Sequence, residues 1–223
     1  MPLPPGVHFI LPTLPVHVLE ADAPGPTAII QAGIHGDEVA GVHAVQELLE
    51  AGLRPARGRL LLIPVMNPGA YRARLRAAPG GLDLNRSFPG DAASPALETR
   101  LARRFLDLCI DEKPALVATL HESKKRYDPA VSPSFGQTIV YGVDPMPGIV
   151  QRTVDALNHR RLGDNEAWAP QFYPVATSST EIIVDTVGCI GLCIETWMGF
   201  EERRRIDMQK EVVGLLLQDV GVC

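Results

Sequence analysis

Residues 29–41, which read IIQAGIHGDEVAG, are the segment around which the chain is organised. The apolar start predicts a buried strand, the glycines a turn, and the residues from Asp37 onward a helix. His35 and Glu38 are three positions apart, and a helix would bring them onto one face. An imidazole and a carboxylate aimed at one point suggest a divalent metal, although His-x-x-Glu alone is frequent by chance.

The composition is that of a soluble globular protein with room for one substantial domain. The chain has 223 residues, of which 46% are hydrophobic and 21% charged. A formal net charge of -5 without a long basic block argues against nucleic-acid binding. We find neither a signal-peptide pattern nor an apolar run of the roughly 18 residues that span a membrane. The four cysteines do not resemble a disulfide framework, so we expect a reducing, cytoplasmic compartment.

Apolar runs and helical patterns alternate along the chain. Buried strands are predicted at residues 28–32, 59–65, 115–120, 137–141 and 191–196, and helices at 37–51, 94–111, 147–161 and 201–219. The proline-rich residues 1–20 predict one or two edge strands. Residues 163–180 look irregular, and residues 181–187 fit either a helix or a strand. This alternation predicts an α/β fold with three layers, α/β/α.

Ligand sites in such folds lie at the C-terminal ends of the strands, where His35, His121 and Glu195 are predicted. Two imidazoles with the Glu38 carboxylate make up the protein ligands of a catalytic zinc site. Glu195, a carboxylate in an apolar run, could take a proton from metal-activated water. Plainer readings remain open, because His121 could be a hydrogen-bonded histidine and Glu195 one half of a buried ion pair.

The long loop at residues 67–93 offers groups that could bind a substrate. Asn85 and Arg86 could hold a substrate carboxylate, since guanidinium matches carboxylate geometry. An arginine of this loop could stabilise an oxyanion, although a solvated loop face is the default reading. Asp83 and Asn85 could also be simple turn residues.

Five motifs occur in an order that resembles the zinc carboxypeptidase superfamily, most of all its succinylglutamate desuccinylase/aspartoacylase branch. They are GIHGDE at 33–38, Asn67-Pro68 with Arg76, DLNRSFPG at 83–90, LHE at 120–122 and IET at 194–196. The resemblance covers about residues 28–197. It implies a carboxypeptidase-like, mostly parallel mixed sheet.

The resemblance also implies roles for single residues. They are His35, Glu38 and His121 as zinc ligands, Glu195 as general base, and Asn85 with Arg86 as the grip on a substrate carboxylate. Asp37 and Glu122 adjoin ligands and are candidates for orienting the imidazoles.

For two further roles the motifs leave more than one candidate residue. Arg76 matches the arginine that polarises the scissile carbonyl, with Arg72 and Arg74 as competitors. Tyr173 is the candidate for the family's mobile tyrosine, with Tyr127 and Tyr141 as alternatives.

The expected activity is zinc-dependent hydrolysis of an amide bond near a substrate carboxylate, of the N-acyl amino acid deacylase type. The alternatives are a metallocarboxypeptidase, a murein-peptide amidase, an esterase, or a non-catalytic module that binds a carboxylate. The partner is then a small molecule or peptide, with no role for nucleic acid or membrane. Residues 1–223 are expected to be one catalytic domain without the branch's C-terminal β-rich domain, which leaves acyl specificity open. The basic run at 124–126 would favour an anionic substrate if it lies beside the metal.

Overall fold

A computed structural model describes residues 1–160 and 166–223, which share one mixed sheet of eight strands. The strands are β1 (Gly6–Leu11), β2 (Leu14–Glu20), β3 (Thr27–Ala32), β4 (Arg59–Ile63), β5 (Leu116–Ser123), β6 (Thr138–Tyr141), β7 (Ala169–Phe172) and β8 (Ile190–Trp197). Their order across the sheet is β1-β2-β4-β3-β5-β8-β6-β7. The four central strands are parallel, whereas β2 and β6 join them antiparallel.

Six α-helices accompany the sheet within the described residues. They are α1 (Val39–Glu50), α2 (Pro68–Ala73), α3 (Leu97–Glu112), α4 (Gly148–Arg160), α5 (Ser179–Val187) and α6 (Glu202–Asp219), and a 3₁₀ turn covers Leu84–Arg86. Helices α1, α4 and α6 contribute to one apolar core, while α3 and α5 contribute to another. The predicted three-layer α/β/α architecture is therefore confirmed.

Each central strand is buried on both faces, which explains its continuous apolar sequence. Along β3, Ile30 belongs to the core under α1 and α6, whereas Ile29 belongs to the core under α3. Side chains alternate between the two faces of a strand, so neighbouring residues of β3 enter different cores. In the second core Phe105 of α3 is fully buried. The helices thereby cover both faces of the sheet beneath its C-terminal edge.

Several element boundaries differ from those predicted. Strand β5 continues to Ser123, so His121 lies inside the strand and opposite Glu195 of β8. Helix α3 begins at Leu97 rather than with Ser94 as its N-cap. The reason is local, because the Ser94 hydroxyl accepts a hydrogen bond from Ala96 N (3.2 Å) and closes a turn before the helix.

The segment between α4 and β8 is more regular than expected. Its residues 169–172 form β7, and the ambiguous residues 181–187 lie in α5. Helix α5 begins where Ser178 Oγ accepts a hydrogen bond from Glu181 N and ends at Gly188, which is left-handed. The predicted end of α4 at Arg161 and the start of the irregular stretch at 163–165 lie outside the described residues. In the part of the chain that is described, no helix combines the length and apolarity needed to cross a membrane.

Candidate active site

Three buried side chains converge at the C-terminal edge of the central strands. Glu38 lies between two imidazoles, with its Oε1 2.7 Å from His35 Nδ1 and its Oε2 2.6 Å from His121 Nδ1. The ring centroids of the two histidines are 4.9 Å apart. The ligand atoms of all three residues lie within 4.8 Å of one another. The structure therefore brings together the three residues predicted as metal ligands, which we call the metal group.

A tight turn, and not a helix, makes His35 and Glu38 meet. Both precede α1, and Glu38 is its N-cap. Gly36 makes the turn possible, because a Cβ there would lie 2.0 Å from the backbone C and O atoms of Ala70 in α2. His35 and Glu38 do meet as predicted, but across a turn that precedes the helix and not on a helical face.

The donor set fits a divalent cation such as zinc. Two imidazole nitrogens and one carboxylate are the ligands of catalytic zinc sites. His121 Nε2 is buried and has no hydrogen-bond partner among the described residues, which leaves a nitrogen available to a ligand. Burial lowers the pKa of His35, but Glu38 and Asp83 outweigh it and raise that pKa to about 9. Glu38 and Asp83 therefore favour positive charge at His35, whereas burial lowers the pKa of His121.

Asp83 is the supporting residue that the sequence analysis treated only as a turn residue. Its Oδ1 lies 3.3 Å from His35 Nε2 and accepts a hydrogen bond from Asn85 N (2.9 Å), so it serves the turn and the histidine together. Its Oδ2 accepts a hydrogen bond from Arg76 Nε (2.9 Å). Burial raises the pKa of Asp83, but His35 and Arg76 lower it by a larger amount, so the carboxylate is charged. Its place in the DLNRSFPG motif was the signal that could have identified it.

Asp37 and Glu122 do not orient the imidazoles through their side chains, contrary to expectation. Glu122 is buried, accepts a hydrogen bond from Ala40 N (2.9 Å) and pairs with Arg205. It reaches the metal group through its backbone N, which lies 3.2 Å from Glu38 Oε2. Asp37 instead lies 3.3 Å from Lys124 Nζ. Both residues therefore support the ends of α1 and β5 that carry the candidate ligands.

Glu195 faces the same space from β8, in register with His121 on β5. Burial, followed by the nearby negative charge of Glu38, raises the pKa of Glu195. The thiol of Cys193 lies 3.6 Å from Glu195 Oε1. Residues two apart on a strand share a face, so this neighbour could have been read from the sequence. A carboxylate with a raised pKa beside a metal group is suited to accept and return a proton.

A cavity of about 390 Å³ opens above these groups, and its lining includes the candidate ligands and Glu195 together with Arg76, Asn85, Arg86 and Tyr173. Asn85 Oδ1 accepts hydrogen bonds from Ser179 N (2.9 Å) and Ser179 Oγ (3.1 Å). The Asn85 amide nitrogen has no partner in the described part of the chain and is free to donate. Arg86 is exposed, and its Nη1 donates only to Asn85 O (2.9 Å) among the described groups. Two neighbouring residues, Asn85 and Arg86, therefore offer N–H donors to a ligand in the cavity.

The structure separates the competing arginines, and it leaves two of the three candidate tyrosines on the cavity wall. Arg76 lines the cavity, with its Nη1 3.9 Å from Glu38 Oε1, whereas neither Arg72 nor Arg74 is among the described residues that line it. Arg74 instead stacks over the ring of Tyr71 at 4.5 Å. Tyr173 and Tyr141 both line the cavity, and Tyr127 is not among the described lining residues.

The match to a family covers the segment that carries the first four motifs. Residues 24–125, just under half of the chain, match the sequence model of the succinylglutamate desuccinylase/aspartoacylase catalytic domain. An N-alpha-acetyl-L-2,4-diaminobutyric acid deacetylase from Halomonas elongata is 38% identical over 107 residues, which cover 44% of this chain and 31% of the relative.

Solved structures share the fold. The product-bound cell shape determinant protein Csd4 from Helicobacter pylori has a TM-score of 0.83 at 17% identity, covering 95% of this chain and 56% of its own. A succinylglutamate desuccinylase/aspartoacylase from Rhodobacter sphaeroides has a TM-score of 0.71 at 23% identity, covering 94% and 59%. This chain thus spans about a third of the deacetylase and just over half of the structural relatives.

These matches agree with the order of motifs and with the sheet that carries them. The carboxypeptidase-like α/β fold is confirmed by the structural relatives. Residues 24–125 match the sequence model of the catalytic domain of the succinylglutamate desuccinylase/aspartoacylase branch, which is the branch that the motifs resemble.

Proposed function

We propose that this protein is a zinc-dependent hydrolase that cleaves an amide bond near a substrate carboxylate, as an N-acyl amino acid deacylase. One observation carries the proposal. The buried His35, Glu38 and His121 open onto a cavity that also presents Glu195 and the Asn85–Arg86 pair. The deacetylase relative, named for an N-acetylated amino acid, supports the same class of substrate.

The candidate ligands and the general base have different roles in the proposed hydrolysis. A zinc ion held by His35, Glu38 and His121 would acidify water and polarise the substrate carbonyl. Glu195 takes a proton from the attacking water and passes it to the leaving nitrogen. Its raised pKa favours this return of the proton, because the protonated carboxyl persists nearer to neutral pH.

The remaining residues hold the substrate and its developing charge. Arg76, fixed by Asp83, directs a guanidinium toward the metal group, where it can donate to the carbonyl oxygen. Asn85 and Arg86 bind the substrate carboxylate through their free N–H donors. Tyr173, packed edge-on against Phe135 with ring centroids 4.9 Å apart, lies on the cavity wall, where it can contact a bound substrate.

A peptidase is the second candidate, because a peptide C-terminus also places an amide beside a carboxylate. Csd4, which is described as a D,L-carboxypeptidase, has the same fold. A murein-peptide amidase would use the same groups, and an ester could be cleaved as well. A non-catalytic module is disfavoured, since a protein that only binds a carboxylate needs neither Glu195 nor three converging metal ligands.

We further propose that residues 1–223 act as one catalytic domain, because one sheet joins the first described strand to the last. The four free cysteines fit the reducing, cytoplasmic setting proposed from composition.

The experiment compares Glu195→Gln with the wild type after zinc loading. The variant is expected to hold one zinc per chain yet lose roughly 10²- to 10⁴-fold in activity, the usual contribution of a general base. Glu201→Gln changes an exposed glutamate in the same way and serves as the matched control, with unchanged activity expected. Hydrolysis by Glu195→Gln at the wild-type rate would remove Glu195 from the mechanism.

A substrate screen separates the two candidate functions. Zinc-loaded protein is offered N-acyl amino acids, dipeptides with a free C-terminus and muropeptide fragments. Faster hydrolysis of the N-acyl amino acids is expected. Preference for the dipeptides or muropeptides would replace the deacylase with a peptidase. A protein that holds no zinc and hydrolyses none of them would be a binding module.

A further inference from the structure

Glu181 lines the candidate active-site cavity from the first turn of α5 and takes no part in the proposed hydrolysis. Its sequence context, Ser178-Ser179-Thr180-Glu181, has the form of a capping box, in which the glutamate would bind the backbone N of the serine. Only half of the box forms. Ser178 Oγ accepts from Glu181 N at 3.3 Å, but Ser178 N donates to Val175 O (2.8 Å) instead. The Glu181 carboxylate is thereby released from the helix end.

The other described carboxylates of the cavity all have partners. They are Glu38 with the two imidazoles, Glu122 with Arg205, Asp37 with Lys124, and Glu195 with the Cys193 thiol. Glu181 has neither a hydrogen bond to its carboxylate nor an ion pair within residues 1–160 and 166–223. Partial burial, followed by the charge of Asp185, raises its pKa, and no cation opposes this. An anion that faces a ligand cavity without a partner is a binding group for a cation.

The position of the carboxylate is made possible by a glycine. A Cβ on Gly142, directly after β6, would lie 1.7 Å from Glu181 Oε1 and 2.3 Å from its carboxyl carbon. The carboxylate therefore lies against backbone that carries no side chain, between the ends of β6 and α5. Tyr141 and Val140 of β6 line the same wall and supply an apolar path alongside it.

Among the described residues, the cavity thus presents two cations without an acidic partner, Arg86 and Lys125, and one carboxylate without a partner, Glu181. Asn85, the neighbour of Arg86, is tied to Ser179, which lies two residues before Glu181. Arg76 is neutralised by Asp83, and Lys124 lies against Asp37. A ligand that pairs with both Arg86 and Glu181 carries a carboxylate and, a few bonds away, a positive charge.

We propose that Glu181 binds a side-chain ammonium of the substrate, so that the preferred substrate is an N-acyl amino acid with an amine-bearing side chain. The proposal rests on the proposed function and specifies its substrate class. The carboxylate of such a substrate lies on Asn85 and Arg86, its acyl amide at the metal group, and its side chain along β6 toward Glu181. The substrate for which the deacetylase relative is named carries such an amine.

The test compares pairs of substrates that differ only in the ammonium. Nα-acetyl derivatives of lysine, ornithine and 2,4-diaminobutyrate are set against those of norleucine, norvaline and 2-aminobutyrate. We expect kcat/KM to favour an amine-bearing member by roughly tenfold to a hundredfold, as for one hydrogen bond between charged groups. Glu181→Gln should abolish that preference, mainly through KM, while leaving hydrolysis of the neutral substrates unchanged.

Two further variants distinguish direct contact with the Glu181 carboxylate from a general effect of negative charge on α5. Gly142→Ala should displace the Glu181 carboxylate and weaken the preference without unfolding, because the atom it meets ends a flexible side chain. Asp185→Asn removes an exposed charge one turn along α5 and should keep the preference. Equal rates on both members of every pair, or a preference that survives Glu181→Gln, would overturn the proposal.

Binding of the amino acid products tests the role of Glu181 even if no substrate is hydrolysed. Titration calorimetry compares lysine, ornithine and 2,4-diaminobutyrate with their neutral counterparts on zinc-loaded wild type and Glu181→Gln. Tighter binding of an amine-bearing product only where Glu181 is present supports the assignment, and equal binding refutes it. Hydrolysis of N-acyl aspartate alone would leave the proposed function standing and this substrate class wrong. Absence of any hydrolysis would count against the proposed function, with calorimetry still testing Glu181.

Discussion

Replacing Gly36 by alanine tests whether the turn between β3 and α1 sets the metal geometry. The added Cβ would lie 2.0 Å from Ala70 C and O and 2.4 Å from Tyr71 N, and all three are backbone atoms that cannot rotate away. To reach ordinary contact at 3.4 Å, the turn must move by about 1.4 Å relative to α2. His35 and Glu38 flank Gly36 within two residues and would move with it.

Such a shift is large for a metal site. Ligand distances must hold within about 0.2 Å, and disturbing even groups that only support the ligands costs about 10- to 100-fold in affinity. We therefore expect Gly36→Ala to weaken zinc binding by at least roughly a hundredfold. Overpacking should also lower the free energy of unfolding by about 1–3 kcal/mol in chelator.

The assay is a competition titration with a zinc-binding dye, accompanied by urea unfolding in chelator. Gly214→Ala is the matched control, since a Cβ at this position in α6 meets nothing within 4 Å. It should keep the zinc affinity and raise stability by about 0.5–1 kcal/mol, as alanine does in helix interiors. Wild-type zinc affinity in Gly36→Ala would refute the claim that this turn positions His35 and Glu38.

Two further predictions concern charge pairs that join α6 to the rest of the domain. Arg205→Met should cost about 3–5 kcal/mol of unfolding free energy by leaving the buried Glu122 without its partner, whereas adding Glu122→Gln should recover most of it. Full additivity of the two changes in urea unfolding would contradict this. Hydrogen bonds from Arg203 and Lys210 lower the pKa of Glu47 from 4.5 to about 2, so its stabilising contribution is present above 4.5 and is lost as pH falls toward 2. Glu47→Gln should therefore lower the unfolding midpoint near neutral pH but hardly at about pH 2, and an equal effect at both would contradict the assignment.

The order of elements was predictable because the sheet is buried on both faces. Strands such as β3 and β4 read as continuous apolar runs, and the intervening helices carry an apolar stripe. The boundaries differ from those predicted where side chains compete with the helix, as Ser94 does before α3. The ambiguous residues 181–187 form α5, where a serine cap and a terminal glycine outweigh their β-branched content.

The sequence by itself determined the identity of the proposed ligands and base. His35, Glu38, His121 and Glu195 carry the side chains that metal-assisted hydrolysis requires, and their motifs are local enough to be recognised without coordinates. It also determined the α/β class, because hydrophobic periodicity is a property of neighbouring residues.

Only the tertiary structure decided which residues support that chemistry. Asp83 reaches His35 across 48 positions, and the Glu181 carboxylate lies against Gly142 rather than on its own helix cap. The DLNRSFPG motif marks Asp83 but does not show that it reaches His35, and no sequence pattern marks the contact of Glu181 with Gly142. Each contact depends on how separate loops pack over the sheet edge. Residues 29–41 thus indicate a metal site from their sequence alone, whereas the packing of distant segments determines which substrate the cavity can bind.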